Sequence, residues 1–310
     1  MPASTTERKP GRVAKQEAKA AKKAAETQKK TKRKVFTAAT ADRHELYQLS
    51  VQNVEAEIDF VDATFEKLRG RRAARLREDY CGTGNTSCEW VRRRDGNIAV
   101  GLDIDQPTLD WGAEHNVAAL EPAQRERVTL LNRDVMHPAD ATGFDIVLAM
   151  NFSYWLWRTR AELVAYFRAV HASLTDGGVF FLDHYGGSES HEETTEKRKI
   201  EACDEHTEFT YVWDQHKYNP ITGDMICKIH FKFPDKTRLK DAFVYTWRLW
   251  GLPEIQDCLR DAGFKNVTVF WEGDELDDDA EPTGEGDGVF TATTNGTPDP
   301  AFVCYIAAEK

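Results

Sequence analysis

Glu78-Asp79-Tyr80-Cys81-Gly82-Thr83-Gly84 is the stretch on which the fold turns. It follows residues 74–80, which read as a strand, and precedes residues 87–94, which read as a short helix. Glycines at such a strand-to-helix turn let the backbone pass close to a ligand without a Cβ clash. The free amides at the start of the following helix face the same spot. A Gly-x-Gly turn alone is common. Here it is joined by Asp103, 21 residues after Gly82 and at the end of the next strand, 98–104. That offset suits an acid that binds both hydroxyls of a ribose. A third acid, Asp134, ends the strand 128–133, where it is placed to accept from an adenine amino group.

Working outward, the pattern alternates. Residues 107–120 are helical, 144–150 form a fourth strand, 160–174 a helix closed by Asp176-Gly177-Gly178, and 179–184 a fifth strand. Strands alternating with helices imply a parallel sheet covered on both faces. Upstream, Leu46, Leu49, Val51, Val54, Ile58, Val61 and Phe65 recur at helical spacing, so residues 42–69 read as an N-terminal helix stopped by Gly70. Downstream the pattern changes. Residues 208–215, 225–233 and 240–248 read as long antiparallel strands joined by turn-rich stretches. A helix over 253–262 stops at Gly263, strands 267–271 and 301–307 finish the chain, and the acidic, Gly-rich segment 273–299 between them reads as a mobile loop.

Residues 76–84 resemble motif I of the class I S-adenosylmethionine-dependent methyltransferases. Val100-Gly101-Leu102-Asp103-Ile104 resembles their second motif, and Asn132-Arg133-Asp134-Val135 their adenine-contact motif. Phe144-Asp145-Ile146-Val147 looks like the fourth strand, and Leu174-Thr175-Asp176-Gly177-Gly178 like the turn before the fifth. Order and spacing match over residues 74–184. The run Leu-Arg-Glu-Asp-Tyr-Cys-Gly-Thr-Gly is further similar to a bacterial subgroup, in which Tyr211-Val212-Trp213, His230-Phe231-Lys232-Phe233 and Tyr245-Thr246-Trp247-Arg248-Leu249-Trp250 also look familiar, to about residue 272.

The resemblance implies a Rossmann-like fold with a mostly parallel seven-stranded sheet and an antiparallel β insertion. It implies S-adenosylmethionine as cofactor, contacted by Glu78, Tyr80, Gly82, Gly84, Asp103, Ile104, Asp134, Val135 and Asn151. The motif acid then lies near the cofactor's methionine amino group. Counting back from Gly82 makes it Glu78, with Asp79 the alternative. Tyr80 stands where the family has glycine, so its side chain either points away or reshapes that end of the pocket.

Methyl transfer from a sulfonium is an in-line displacement. The enzyme mainly holds a nucleophile on the far side of the sulfur. No metal is needed, and a general base only if the nucleophile arrives protonated. Candidate acceptor-side residues lie beyond the fourth and fifth strands, in Asn151-Phe152-Ser153-Tyr154-Trp155 and Asp183-His184-Tyr185. Asn151 offers a carbonyl, His184 is the best-placed base, and Tyr154 completes the catalytic candidates; a buried structural histidine is the competing reading of His184. Tyr47, Trp155, Tyr185, Tyr211 and Trp247 are candidates for the acceptor pocket, and ordinary aromatic packing is the alternative for each.

Composition bounds the rest. The 310 residues carry a net charge of −11; residues 1–34 hold twelve Lys or Arg and three Glu, a net +9, leaving −20 on residues 35–310. So acidic a body argues against a broad nucleic-acid-binding face. Residues 1–34 read as a basic tail, disordered or helical, either solvating or touching RNA, anionic lipid or an acidic partner. Residues 35–310 read as one methyltransferase domain: helix 42–69, cofactor-binding core 71–186, β insertion 205–250 and the remaining core 251–310. No apolar run is long enough to span a membrane, and no apolar signal segment precedes the domain. Six cysteines without a C-x-x-C pair indicate neither zinc nor redox chemistry and suit the cytoplasm. The leading expectation is methylation of N, O or S on a small metabolite. RNA or protein methylation using the basic tail, and non-catalytic cofactor binding, are the alternatives; oligomeric state is not legible.

Overall fold

The computed structural model describes residues 33–139, 141–276 and 282–310. The expectation for the basic tail therefore lies outside the described residues, except at Arg33 and Lys34. Lys34 bridges to His206 and pairs with Glu45.

The main sheet has eight strands, in the order β11-β10-β12-β5-β4-β1-β2-β3. Its parallel half is β1 (Arg75–Asp79), β2 (Ile98–Asp103), β3 (Val128–Asn132), β4 (Phe144–Ala149) and β5 (Leu174–Gly186). From β1 the chain builds outward to β2 and β3 on one side and returns to β4 and β5 on the other. The order reverses between β1 and β4, and ligands of open α/β sheets sit in the crevice such a reversal leaves at the carboxyl ends. β12 (Phe302–Glu309) pairs antiparallel with β5, and β10 (Asn266–Leu276) with β12.

The segment 273–299, read from sequence as a mobile loop, departs from that expectation. β10 continues to Leu276, and β11 (Pro282–Thr293) pairs back on it as the eighth strand. Asp274, Glu275, Gly286, Asp287 and Gly288 are exposed along this edge, where water hydrates the charged side chains.

Side-chain alternation along the strands divides the core. Leu76, Ile146, Leu148, Val179 and Phe181 pack against α2 (Val54–Arg69) and α3 (Asn85–Arg93). Val147, Ala149, Phe180 and Leu182 pack on the other face against α6 (Arg160–Ser173) and α7 (Leu252–Ala262). Every residue of β4 is buried, as expected for a central parallel strand covered on both sides. The smaller helices α4 (Gln106–Gly112), which runs on into a π turn over Ala113–Val117, and α5 (Pro122–Arg125) connect β2 to β3.

The expected N-terminal helix is two helices. Asp42 caps α1 (Arg43–Ser50) by accepting from the amides of His44 and Glu45; residues 51–53 break the helix before α2 begins. The break turns α1 away from the main sheet, so that Leu46 packs with Phe36 on the second sheet.

That second sheet, β6 (Thr195–Ile200), β7 (Phe209–Tyr218), β8 (Asp224–Lys232) and β9 (Arg238–Arg248), is antiparallel throughout. Its first strand, all polar but for Ile200, carried no apolar alternation and was not legible. Phe209, Ile229 and Phe231 on its inner face pack against Phe36 and Leu46. Met225, Cys227 and Trp247, on the same face, join the principal core beside Trp155.

Candidate active site

A cleft of about 570 Å³ lies at the carboxyl ends of β1, β2 and β4, with the inner face of β9 as its opposite wall. The motif turn forms its floor. Gly82 has φ +53°, and its amide donates to Asp103 Oδ2 at 2.8 Å; the Asp105 amide donates to Oδ1 at 2.9 Å. Asp103 thus joins β2 to the glycine turn and keeps lone pairs on both oxygens for a ligand. Gly84, at φ +65°, starts α3, and a Cβ there would sit 2.7 Å from Leu130 Cδ2.

Strand alternation separates the two motif acids. Asp79 shares a fully buried ion pair with Arg77, 2.8 Å, and accepts from Tyr166 Oη at 2.9 Å. Glu78 points to the other side, where its Oε2 accepts from the Ser87 amide at 2.8 Å and from Ser87 Oγ at 2.6 Å. Burial pushes Glu78 up to about 7 against those hydrogen bonds.

Tyr80 lies at φ +56°, the conformation glycine adopts freely and a bulky residue resists. Its ring tilts against Tyr166 at 5.6 Å, and its hydroxyl accepts from Trp157 Nε1 at 2.8 Å. Of the two sequence expectations, the side chain follows the first: its tip is anchored in the aromatic core, although the residue borders the cleft.

Asn151 borders the cleft too. It and Phe152 are both left-handed, at φ +57° and +55°. Asp183 holds that bend, accepting from the two amides at 2.8 and 2.9 Å. Burial raises Asp183 to about 7.

His184 is where the structure parts most clearly from the sequence reading. It follows Asp183 on β5 and therefore points to the opposite side. It is 1% exposed, burial holds it down at about 3, and its Nδ1 lies 3.2 Å from Tyr154 Oη. It borders a separate cavity of about 450 Å³, walled by Gly187, Tyr218 and Trp250. A neutral, sealed imidazole on the far side of the strand does not reach the cleft as a base. Tyr154 is equally buried, donating to the Asp183 carbonyl at 3.0 Å, and belongs with it in the core.

The aromatic candidates divide. Tyr47 and Trp247 line the cleft, as does Tyr245, which stacks on Trp247 at 4.3 Å. Trp155 is buried behind Trp247, edge to face at 5.7 Å. Tyr185 packs near Phe152 at 6.0 Å, and Tyr211 lies under the Arg198 guanidinium at 5.3 Å; neither lines the cleft. Ile104 is 75% exposed, and Val135 is buried in the core. Asp134 is exposed, its Oδ1 accepting from the Met136 amide at 2.9 Å. Gly84, Ile104, Asp134 and Val135 are not among the residues lining the cleft, whereas Glu78, Tyr80, Gly82, Asp103 and Asn151 are.

Arg43, His44, Gln52, Thr108, Asp241 and Phe243 also line the cleft and were not singled out by sequence. Arg43 and His44 hide in the polar start of α1, and Phe243 reaches the cleft only because β9 folds over it.

Residues 81–180 match a family model described as a methyltransferase domain. No curated protein matches the chain. Among solved structures it is similar to an S-adenosylmethionine-dependent methyltransferase from Clostridium acetobutylicum, at 14% identity and TM-score 0.60, over 86% of this chain and 96% of that one. It is similar to CalS10, an amino pentose methyltransferase of calicheamicin biosynthesis from Micromonospora echinaspora, at 16% identity and TM-score 0.61, over 86% and 95%. It is also similar to the sugar N-methyltransferase KedS8 from a Streptoalloteichus species, at 16% identity and TM-score 0.58, over 87% and 93%. The architecture is the Rossmann-like methyltransferase fold, with an antiparallel sheet beside the main one and a methyltransferase-domain match across its central third.

Proposed function

We propose that this chain is an S-adenosylmethionine-dependent methyltransferase acting on a small molecule. The observation that carries the reading is the Asp103 carboxylate, pinned by the Gly82 and Asp105 amides at the end of β2. A carboxylate fixed in this way is preorganised to accept from two ribose hydroxyls at little entropic cost. Gly82 fits the same ligand: the nearest atom to a Cβ placed there is 3.9 Å away, on Thr108, so the cleft floor is open above the turn. Glu78 Oε2 is taken by Ser87, which leaves Oε1 to receive the cofactor's amino group. Asp134 and Ile104 bound the adenine end in this reading, and Tyr80, Gly84 and Val135 shape the floor from behind.

When bound, the cofactor supplies an electrophilic methyl on a positively charged sulfur. The chain's part is to hold, orient and exclude water. Tyr47, Tyr245 and Trp247 wall the far side of the cleft with aromatic faces, which attract positive charge. Asn151, held by Asp183, places a side-chain amide between the two halves. The solved neighbours named as acting on an amino pentose and on a sugar support a small-molecule acceptor, and the acidic cleft supports it against a polyanion. We take residues 35–310 as the catalytic unit, with the second sheet as a cover over the acceptor.

Titration calorimetry with S-adenosylmethionine and S-adenosylhomocysteine tests the cofactor assignment. Both bind if the reading holds, and absence of binding at millimolar ligand by the folded protein overturns it. Methyl-labelled cofactor, a metabolite extract and mass spectrometry of the labelled products then identify the acceptor.

A further inference from the structure

The cavity of about 450 Å³ that His184 borders has no part in the methyl-transfer reading. It lies between the carboxyl end of β5, the turn joining β7 to β8 and the first turn of α7. Leu249, Trp250, Leu252, Pro253 and Phe302 give it apolar walls. Ile221, in the turn, stands at its rim and is 92% exposed. A volume of this size holds a small ligand. The charged side chains of the lining already have partners. Arg248 lies on Trp250, 3.7 Å from the ring centre, and donates from Nη1 to the Arg158 carbonyl at 3.2 Å. Glu254 accepts from Arg248 Nη2 at 3.5 Å and from the Gly251 amide at 2.9 Å. A carboxylate of the chain itself thus sits at the start of α7, where the helix would otherwise favour an outside anion.

The buried polar side chains of the lining are Ser190 and His184, each 1% exposed. Ser190 is satisfied, donating to the Gly187 carbonyl at 2.7 Å. His184 is satisfied at one nitrogen only. Tyr154 has a single hydroxyl proton, and it goes to the Asp183 carbonyl at 3.0 Å, a group that can only accept. In the 3.2 Å contact with His184, Tyr154 Oη is therefore the acceptor and Nδ1 carries the proton. Burial alone acts on this ring and holds it down at about 3, so it is neutral. A neutral imidazole protonated at Nδ1 keeps a lone pair on Nε2. Among the described residues nothing donates to that lone pair. A buried acceptor without a donor costs stability until one arrives.

We propose that this cavity is a second binding site, for a neutral aromatic alcohol of the phenol type, whose ring meets the apolar walls and whose O–H donates to His184 Nε2. Charge and polarity select that class. A cation would meet the Arg248 guanidinium, and an anion would meet the Glu254 carboxylate and the Nε2 lone pair. A sugar would bring several hydroxyls to walls whose buried polar side chains offer one free acceptor. A single donor on an apolar ring matches a single lone pair in an apolar wall. The site does not depend on the methyltransferase reading.

The test uses full-length protein with isotope-labelled histidine, its imidazole nitrogens read by NMR at pH 7, and phenol as the probe. The His184 signals are assigned by their loss in His184→Phe, with folding checked by thermal melting. The expected spectrum shows His184 protonated at Nδ1 and bare at Nε2. Millimolar phenol should shift the Nε2 signal upfield along a saturating curve. Anisole, which has the ring and oxygen but no O–H, should leave that signal in place. His184→Phe should bind phenol at least tenfold more weakly than wild type. A proton on Nε2 overturns the proposal, as does an Nε2 signal that phenol leaves unmoved or that anisole moves equally. So does undiminished phenol affinity in His184→Phe, which would put the phenol elsewhere, the main cleft included. Should His184→Phe fail to fold, the signals are assigned through the wild-type backbone, and the phenol and anisole shifts decide.

Discussion

Asp103 and Tyr80 carry the motif's chemistry and its cost. If Asp103 accepts from two ribose hydroxyls as proposed, Asp103→Ala removes bonds worth on the order of 2–4 kcal/mol when charge-assisted. Calorimetry should show S-adenosylmethionine affinity reduced about 30- to 1000-fold. Tyr80 instead serves the core. Tyr80→Phe leaves the Trp157 indole N–H without its acceptor, which should cost about 1–3 kcal/mol in urea denaturation and leave cofactor affinity within threefold. Raised buried acids make stability depend on pH, Asp79 among them. Glu57 at about 8 and Glu78 and Asp183 at about 7 hold protons in the folded state that the unfolded chain has released above its carboxyl range. The stability they contribute is complete below pH 4 and lost as pH rises through 7 and 8. His184, depressed to about 3, acts oppositely, its contribution being lost as pH falls below its unfolded value near 6.5. Between pH 6.5 and 8.5 only the acids count. Cofactor-free protein should therefore melt at a lower temperature at pH 8.5 than at pH 6.5, and Glu57→Gln should narrow the gap.

At the scale of elements, the glycine turn works because α4 is pressed against it. A Cβ on Gly112, the last residue of α4, would lie 2.2 Å from the Thr83 carbonyl oxygen, a backbone atom that cannot swing aside. The neighbouring Asn116 donates to that same oxygen at 3.0 Å. Gly112→Ala should thus push α4 off the motif turn. Its expected signature is a loss of about 1–3 kcal/mol in denaturation, as for overpacked interiors, together with weakened cofactor binding. Stability unchanged by this substitution would show that the turn does not depend on the helix. The break between α1 and α2 bears on the cleft as well, since α1 brings Arg43, His44 and Tyr47 to its lining.

Across the whole molecule, the two sheets share the work, the main one holding the motif acids and the second one supplying the aromatic wall. The basic residues 1–32 are not among the described residues; Arg33 and Lys34 sit beside His206. Removing residues 1–32 should leave cofactor affinity and small-molecule turnover within twofold. A large loss of turnover would favour a macromolecular acceptor steered by the tail, and with RNA that affinity would fall steeply with salt. The sequence by itself determined the parallel half of the sheet, the strand-to-helix turn and the Asp103 offset, because these rest on local periodicity and on glycine's freedom at one bend. It also carried the antiparallel pattern of the second sheet, through alternation of Tyr211 with Trp213 and of Tyr245 with Trp247. Only the tertiary structure decided which of those aromatics meet the cleft, that His184 and Asp183 part to opposite sides of β5, that residues 282–293 join the sheet, and that Glu57 Oε2 is buried without a hydrogen-bond partner. Each of these depends on what a side chain meets across elements distant in the chain, and spacing along one element holds no record of that.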